Sequence, residues 1–297
     1  MRSLIWHGCY DGNHKDLIVP EAYLHPAKMA VRLCERIFDY GFEQGYWQSG
    51  DLILDPFGGI ATTALVGAYR GYRVVCVELE ERFVELARKN IALNRNKLKS
   101  LGRPEPVIIQ GDSRHIAELL REVMTGAVTS PPYANSLEQA GGIDPTKSRH
   151  RRGGPNSQIN RSDTRYGATP GQIGAMAEGS ATSPETYWTA MRQVYTSMHQ
   201  ALRPGSVMAV VVKDYVKHGR RVPLCDRMAH LLEACGYEVL VRVRAMLVKE
   251  HHVGVDLFSG AEVRKKTERK SFFRRLAEKK GSPGIDWEEI IFARRLE

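Results

Sequence analysis

Three short apolar runs, Asp51–Asp55 (DLILD), Arg73–Glu78 (RVVCVE) and Val107–Gln110 (VIIQ), each lead into an acidic residue at a turn, and stretches of helical period separate them. Buried parallel strands read as continuous apolar runs, without the alternation of a sheet that faces water on one side. Between them, Ala61–Tyr69 is a small-residue helix stopped by Gly71, and Glu81–Asn94 places Phe83, Val84, Ala87 and Ile91 on one face. A helix from Pro26 to about Tyr40 precedes them, and a helix near Arg114–Val123 and a fourth run, Ala127–Ser130, follow. Strand and helix alternating across short turns predicts an α/β fold with a doubly wound, mostly parallel sheet.

The second half continues the rhythm less regularly. A helix is expected over Pro184–Leu202, a strand over Val207–Val212, a helix over Arg221–Cys235, a long strand over Glu238–Val248 and a last strand over Glu289–Arg294. That makes seven strands in one domain spanning residues 1–297. Two stretches break the pattern. Residues 134–183 are rich in Gly, Ser, Asn and Arg with no sustained apolar period, and a long insertion of that kind in a compact domain is usually functional or disordered. It is expected to be a mobile flap over a substrate. Residues 249–284 are basic and irregular, an expected nucleic-acid contact.

The net charge of +9 makes an acidic polymer a plausible partner but does not require one. Five scattered cysteines with no C-x-x-C pair argue against a disulfide framework and a structural zinc site. The opening residues lack the basic start and apolar core of a signal peptide, and no run approaches the ~20 apolar residues of a membrane span. A cytoplasmic location and no membrane partner are expected. His251, His252 and Asp256 read better as a polar loop near nucleic acid than as metal ligands.

The chemistry concentrates at the strand ends. Asp55-Pro56-Phe57-Gly58-Gly59 ends the first run, where ligands of open parallel sheets bind. Glycines let backbone approach a ligand closely, the next helix offers unpaired N–H groups, and Thr62 or Thr63 can cap it. Glu78, about 20 positions on, can bind both hydroxyls of a ribose, with Leu79 beside it. Asp112, followed by Ser113, can accept from an adenine amino group. Each carboxylate alone could be a cap or a solvated surface group; three at the ends of three successive strands point to one nucleoside-bearing cofactor.

With these residues in place, the chain resembles the amino-methyltransferases of DNA, which make N4-methylcytosine and N6-methyladenine. His25-Pro26-Ala27-Lys28 is similar to the family's first element, which holds the methionine end of S-adenosyl-L-methionine. Asp55–Gly59 resembles the cofactor loop, Glu78 the ribose acid, Asp112 the adenine contact, and Ser130-Pro131-Pro132-Tyr133 the catalytic tetrapeptide. The likeness runs from about His25 to Val248. It departs in Ile60 and Ala61, which replace the usual Ser and second Gly, and in placing the cofactor half before the catalytic half.

The resemblance implies methyl transfer to an exocyclic amine, a poor nucleophile because its lone pair is delocalised into the ring. Two acceptors, Ser130 Oγ and the Pro131 carbonyl, would favour a pyramidal nitrogen. Pro131 and Pro132 stiffen the loop, and Tyr133 can stack on a flipped-out base. Such chemistry requires no metal and no covalent protein intermediate. Ser at the first tetrapeptide position resembles the cytosine-N4 enzymes more than the adenine-N6 ones. Arg149, Arg151, Arg152, Arg161 and Arg165 in the insertion, and Lys265 and Lys266 in the basic segment, are expected phosphate contacts. RNA as the polymer and a non-catalytic nucleic-acid binder are the competing readings. The recognition sequence, any restriction partner and the oligomeric state stay open.

Overall fold

The computed structural model describes residues 4–25, 28–134, 169–179, 185–255, 262–268, 278–279 and 281–297, with the backbone alone for 24, 249–255 and 262–267. Its centre is an eight-stranded sheet built from β1 (Leu4–Trp6), β2 (Leu52–Asp55), β3 (Arg73–Glu78), β4 (Val107–Gln110), β5 (Met124–Thr129), β6 (Leu202–Val212), β9 (Tyr237–Met246) and β12 (Trp287–Arg295). The order across the sheet is β1-β9-β12-β6-β5-β2-β3-β4. Every pairing is parallel except those of β12, which runs antiparallel between β6 and β9. Within the sheet, the chain steps outward from β2 through β3 to β4, then returns to lay β5 on the other side of β2. The fold is therefore the expected doubly wound α/β sheet.

Helices cover both faces. On one side α1 (Val31–Glu43), α2 (Thr62–Tyr69) and α3 (Glu81–Ser100) bury Leu33, Ile37, Phe38, Leu65, Ala87 and Ile91 against the sheet. On the other, α4 (Ile116–Leu119), α5 (Tyr187–Ala201) and α6 (Leu224–Ala234) bury Ile116, Tyr187, Met191, Tyr195, Met198 and Met228. α2 is buried along nearly its whole length, so its small residues are a steric requirement. A Cβ on Gly67 would lie 2.7 Å from Val74 and 2.8 Å from Phe38. α5 starts in a capping box, with Thr186 and Thr189 each bonding the other's backbone N–H.

The structure departs from expectation in several places. The sheet has eight strands rather than seven, because the three-residue edge strand β1 pairs with β9. Residues 249–284 are not irregular throughout: β10 (Val248–Val255) and β11 (Glu262–Glu268) form an antiparallel hairpin. Their charged residues fall on both alternate sets of positions, so no period of two in hydrophobicity marks them. β7 (Tyr215–Lys217) and β8 (Arg220–Val222) pair as a second hairpin, which delays α6 to Leu224. After β4 the helical segment is shorter than expected, a 3-10 turn at Ser113–His115 running into α4. No helix among the described residues is long and apolar enough to cross a membrane.

Candidate functional site

The order of the sheet reverses between β2 and β5, and a cavity of about 410 Å³ opens beyond their carboxyl ends. Asp55 through Gly59, with Thr62, Glu78, Leu79, Asp112 and Ser113, line this cavity. So do His25, Lys28 and the whole tetrapeptide Ser130–Tyr133. One chamber thus brings together the expected cofactor residues and the expected catalytic residues. Pro26 and Arg149, Arg151, Arg152, Arg161 and Arg165 lie outside the described residues, as does Asp256. Lys265 and Lys266 fall on β11, opposite His251 and Glu250 of β10.

The turn after β2 is held from several directions. The Gly58 N–H donates to the Val77 carbonyl at 2.9 Å, and the Gly59 N–H to Glu78 Oε2 at 2.8 Å. A Cβ on Gly58 would stand 2.6 Å from the Cys76 Cβ, so only glycine fits. Ala61, which replaces a glycine of the family pattern, adopts φ +66°, the left-handed region where glycine is free and alanine costs about 1 kcal/mol. The loop keeps a glycine-like path without the glycine. The Ser113 hydroxyl donates to the Pro56 carbonyl, so this predicted cofactor residue also ties the end of β4 to the turn.

The three carboxylates differ. Asp55 is 2% exposed and accepts from the Thr129 hydroxyl at 2.8 Å and the Phe57 N–H at 3.0 Å. Burial pushes its carboxyl up to about 6 despite these bonds. Burial likewise pushes Glu78 up to about 7, partly offset by the Glu80 and Gly59 amides that favour its charged form. Asp112 is different. Burial raises it, but the Arg114 side chain more than compensates, and the net direction is down. Arg114 grips both Asp112 oxygens, with Nη2 2.6 Å from Oδ2, and its own N–H caps Oδ1 at 2.9 Å. An adenine amino group at Asp112 would therefore share a carboxylate already engaged.

His25 packs edge-on against Phe83, ring centroids 4.3 Å apart, and lies beside Gly59. The Lys28 ammonium donates to the Tyr23 and His25 carbonyls, closing that end of the chamber. Thr62 Oγ1, at the start of α2, is buried with no hydrogen-bond partner among the described residues. An orphan hydroxyl, a turn with no room for a Cβ and two strand-end carboxylates suit S-adenosylmethionine. Glu78 would hold its ribose, Asp112 and Ser113 its adenine end, and the glycine turn with His25 and Lys28 its amino-acid end.

Sequence reasoning missed two parts of the wall. Gly171, Gln172 and Ile173, from the far end of the insertion, line the same cavity. They are pinned by Glu80, which accepts from the Thr169 hydroxyl at 2.8 Å and Gln172 Nε2 at 3.0 Å. No local pattern announces this contact, because it joins residues about 90 positions apart. Lys213 and Glu288 also line the cavity. Lys213 follows β6 as Ser130 follows β5, so the rule that ligands gather at carboxyl ends offered a signal there. No group of three or more His, Cys, Asp or Glu suited to a metal occurs among the described residues.

Comparison with known proteins finds methyltransferases. The DNA methylase family model for N6 and N4 methyltransferases matches residues 2–89. A tRNA (guanine(10)-N2)-dimethyltransferase of Methanothermobacter thermautotrophicus is 34% identical over 119 residues, 40% of this chain and 32% of that protein. The chain thus matches about a third of the length of this curated relative. Among solved structures, TrmN from Thermus thermophilus overlaps 95% of this chain and 53% of its own at 13% identity and TM-score 0.49. Precorrin-6y C5,15-methyltransferase from Geobacter metallireducens overlaps 96% and 98% at 10% identity and TM-score 0.46. The match over residues 2–89 supports the amino-methyltransferase family, whose members use S-adenosylmethionine.

Proposed function

We propose that this chain transfers a methyl group from S-adenosylmethionine to the exocyclic amino group of a base in DNA, N4 of cytosine in preference to N6 of adenine. The observation that carries the reading is the shared chamber: Ser130–Tyr133 faces the same cavity as the glycine turn and Glu78. When bound, the cofactor supplies an activated methyl group on a sulfonium. The chain's part is placement. Ser130 Oγ and the Pro131 carbonyl accept the two N–H bonds of the amine, so its lone pair is freed from the ring. Tyr133 stacks on the flipped base, an interaction worth about 1–3 kcal/mol in other systems. The basic residues of the insertion, with Lys265 and Lys266, neutralise phosphates.

A second reading changes the polymer to RNA. It is favoured by the relative named for the guanine-N2 amino group of a tRNA. The deciding experiment incubates the protein and isotope-labelled S-adenosylmethionine with DNA and, separately, with RNA. Each is digested to nucleosides, and the labelled one is identified by mass. N4-methylcytosine from DNA is the expected product. Label only in an RNA nucleoside would replace DNA with RNA. Cofactor binding without transfer to either would leave a non-catalytic binder.

A further inference from the structure

An ion pair closes the side of the cavity nearest the tetrapeptide. Lys213 Nζ donates to Glu288 Oε1 at 3.2 Å, and the Tyr10 hydroxyl donates to Glu288 Oε2 at 2.8 Å. Both Lys213 and Glu288 line the chamber that holds Ser130–Tyr133. The sheet explains why. β6 runs parallel to β5 with Thr129 opposite Val210, so Ser130 onward and Val211–Lys213 leave the same edge side by side. β12 is antiparallel to β6 with Glu289 opposite Val212, which brings Glu288 level with Lys213. Glu78, by contrast, ends β3 and Asp112 follows β4, on the far side of β2. The pair therefore belongs to the half of the chamber left for the target base.

We propose that Lys213 reads the ring edge of that base, donating to the ring acceptor next to the amino group. The inference rests on the reading of the chamber as an amino-methyltransferase site. An ammonium carries three donors and no acceptor, and Glu288 takes one of them, the one hydrogen bond of this ammonium among the described residues. Two donors are left for a ligand. Both oxygens of Glu288 are engaged, so the carboxylate holds Lys213 in place and is a positioning residue. Cytosine sets its N3 acceptor, and adenine its N1 acceptor, next to the amino-bearing carbon. Guanine flanks its amino group with the N1–H donor on one side and the N3 acceptor on the other, so it too offers Lys213 an acceptor, from its other flank. The surroundings of Lys213 thus suit an amino-bearing base with a ring acceptor beside the amino group.

The test compares wild type with Lys213→Met, Lys213→Arg and Glu288→Gln on whichever nucleic acid the wild type methylates. Lys213→Met should lower kcat/KM about 10- to 100-fold, as loss of a hydrogen bond from a charged group does. Cofactor affinity and melting temperature should stay near wild type, and Lys213→Arg should recover part of the rate. Glu288→Gln should fall between wild type and Lys213→Met, with cofactor affinity again unmoved. The methylated position, mapped with wild type, is then replaced by an analogue carrying C–H for the ring nitrogen beside the amino group. Wild type should drop on the analogue to about the level of Lys213→Met, and Lys213→Met should lose nothing further. Equal rates for wild type and Lys213→Met, or additive losses on the analogue, would overturn the role of Lys213 and leave the proposed reaction standing. A wild type inactive on both DNA and RNA would overturn both.

Discussion

The Gly59 backbone N–H donates to the Glu78 carboxylate at 2.8 Å, so the acid that ends β3 also fixes the turn that follows β2. Protonation of Glu78 therefore acts on the turn after β2 as well as on the end of β3. Its carboxyl is raised from an ordinary 4.5 to about 7, and that of Asp55 from 3.8 to about 6. For acids raised in the fold, the stabilising contribution is full below the ordinary value and is lost as pH climbs through the folded one. The cofactor-free protein should lose stability between about pH 4 and pH 7, and Glu78→Gln should flatten the upper part of that decline. Ribose hydroxyls are donors and need an ionised acceptor, so cofactor affinity should rise with pH through about 7 in wild type and not in Glu78→Gln. Calorimetric titrations on either side of that pH check it; a flat wild-type profile would remove Glu78 from the ribose site.

Gly58→Ala tests whether the turn is as tight as it looks. The new methyl would meet the Cys76 Cβ at 2.6 Å and Ile108 Cδ1 at 3.2 Å, and the Cys76 Cβ is fixed by the strand. Overpacking of this sort costs about 1–3 kcal/mol. Urea unfolding should show that loss, together with weaker cofactor binding.

Ser130→Ala separates the base from the cofactor. Loss of one preorganised acceptor should lower turnover by ~10²–10³-fold. Cofactor affinity should be unaltered in the same preparation. A collapse of cofactor binding would mean the tetrapeptide serves the other ligand.

Glu80 holds the returning end of the insertion through Thr169 and Gln172 and is only 4% exposed. Glu80→Ala should release residues 169–174 from the cavity wall. Amide hydrogen exchange should quicken there and not in β2, β3 or β5, and cofactor affinity should fall by about 1–2 kcal/mol, in the range of losing a charged acceptor. Unchanged exchange at Gly174 would show that the clamp is dispensable.

The strand ends that line the cavity were legible because their signals are local. LILD is buried on both faces and RVVCVE largely so, so apolar runs mark them, and Asp55 and Glu78 stand where those runs stop. Ser130 is readable on the same logic, as the residue after β5. What escaped depends on distance or on mixed patterns. β1 is three residues long, with Leu4 and Ile5 exposed, and exists only because β9 offers an edge. The β10–β11 hairpin lacks an apolar alternation, and its charges hide it. Gln172 and Glu288 reach the cavity through pairings across much of the chain, which no window of sequence contains.

The antiparallel β12 has a consequence for synthesis. Among the described strands it alone joins β9, and through it β1, to the rest of the sheet. Residues 287–295 leave the ribosome after every other strand of that sheet. Until they do, β9 and β1 can pair with each other but not with the rest of the sheet, and the β6 edge stays open. An open edge is a template for wrong pairing with another chain. The nascent protein should pair β2 through β6 early and bring Glu288 to the cavity only once β12 has emerged.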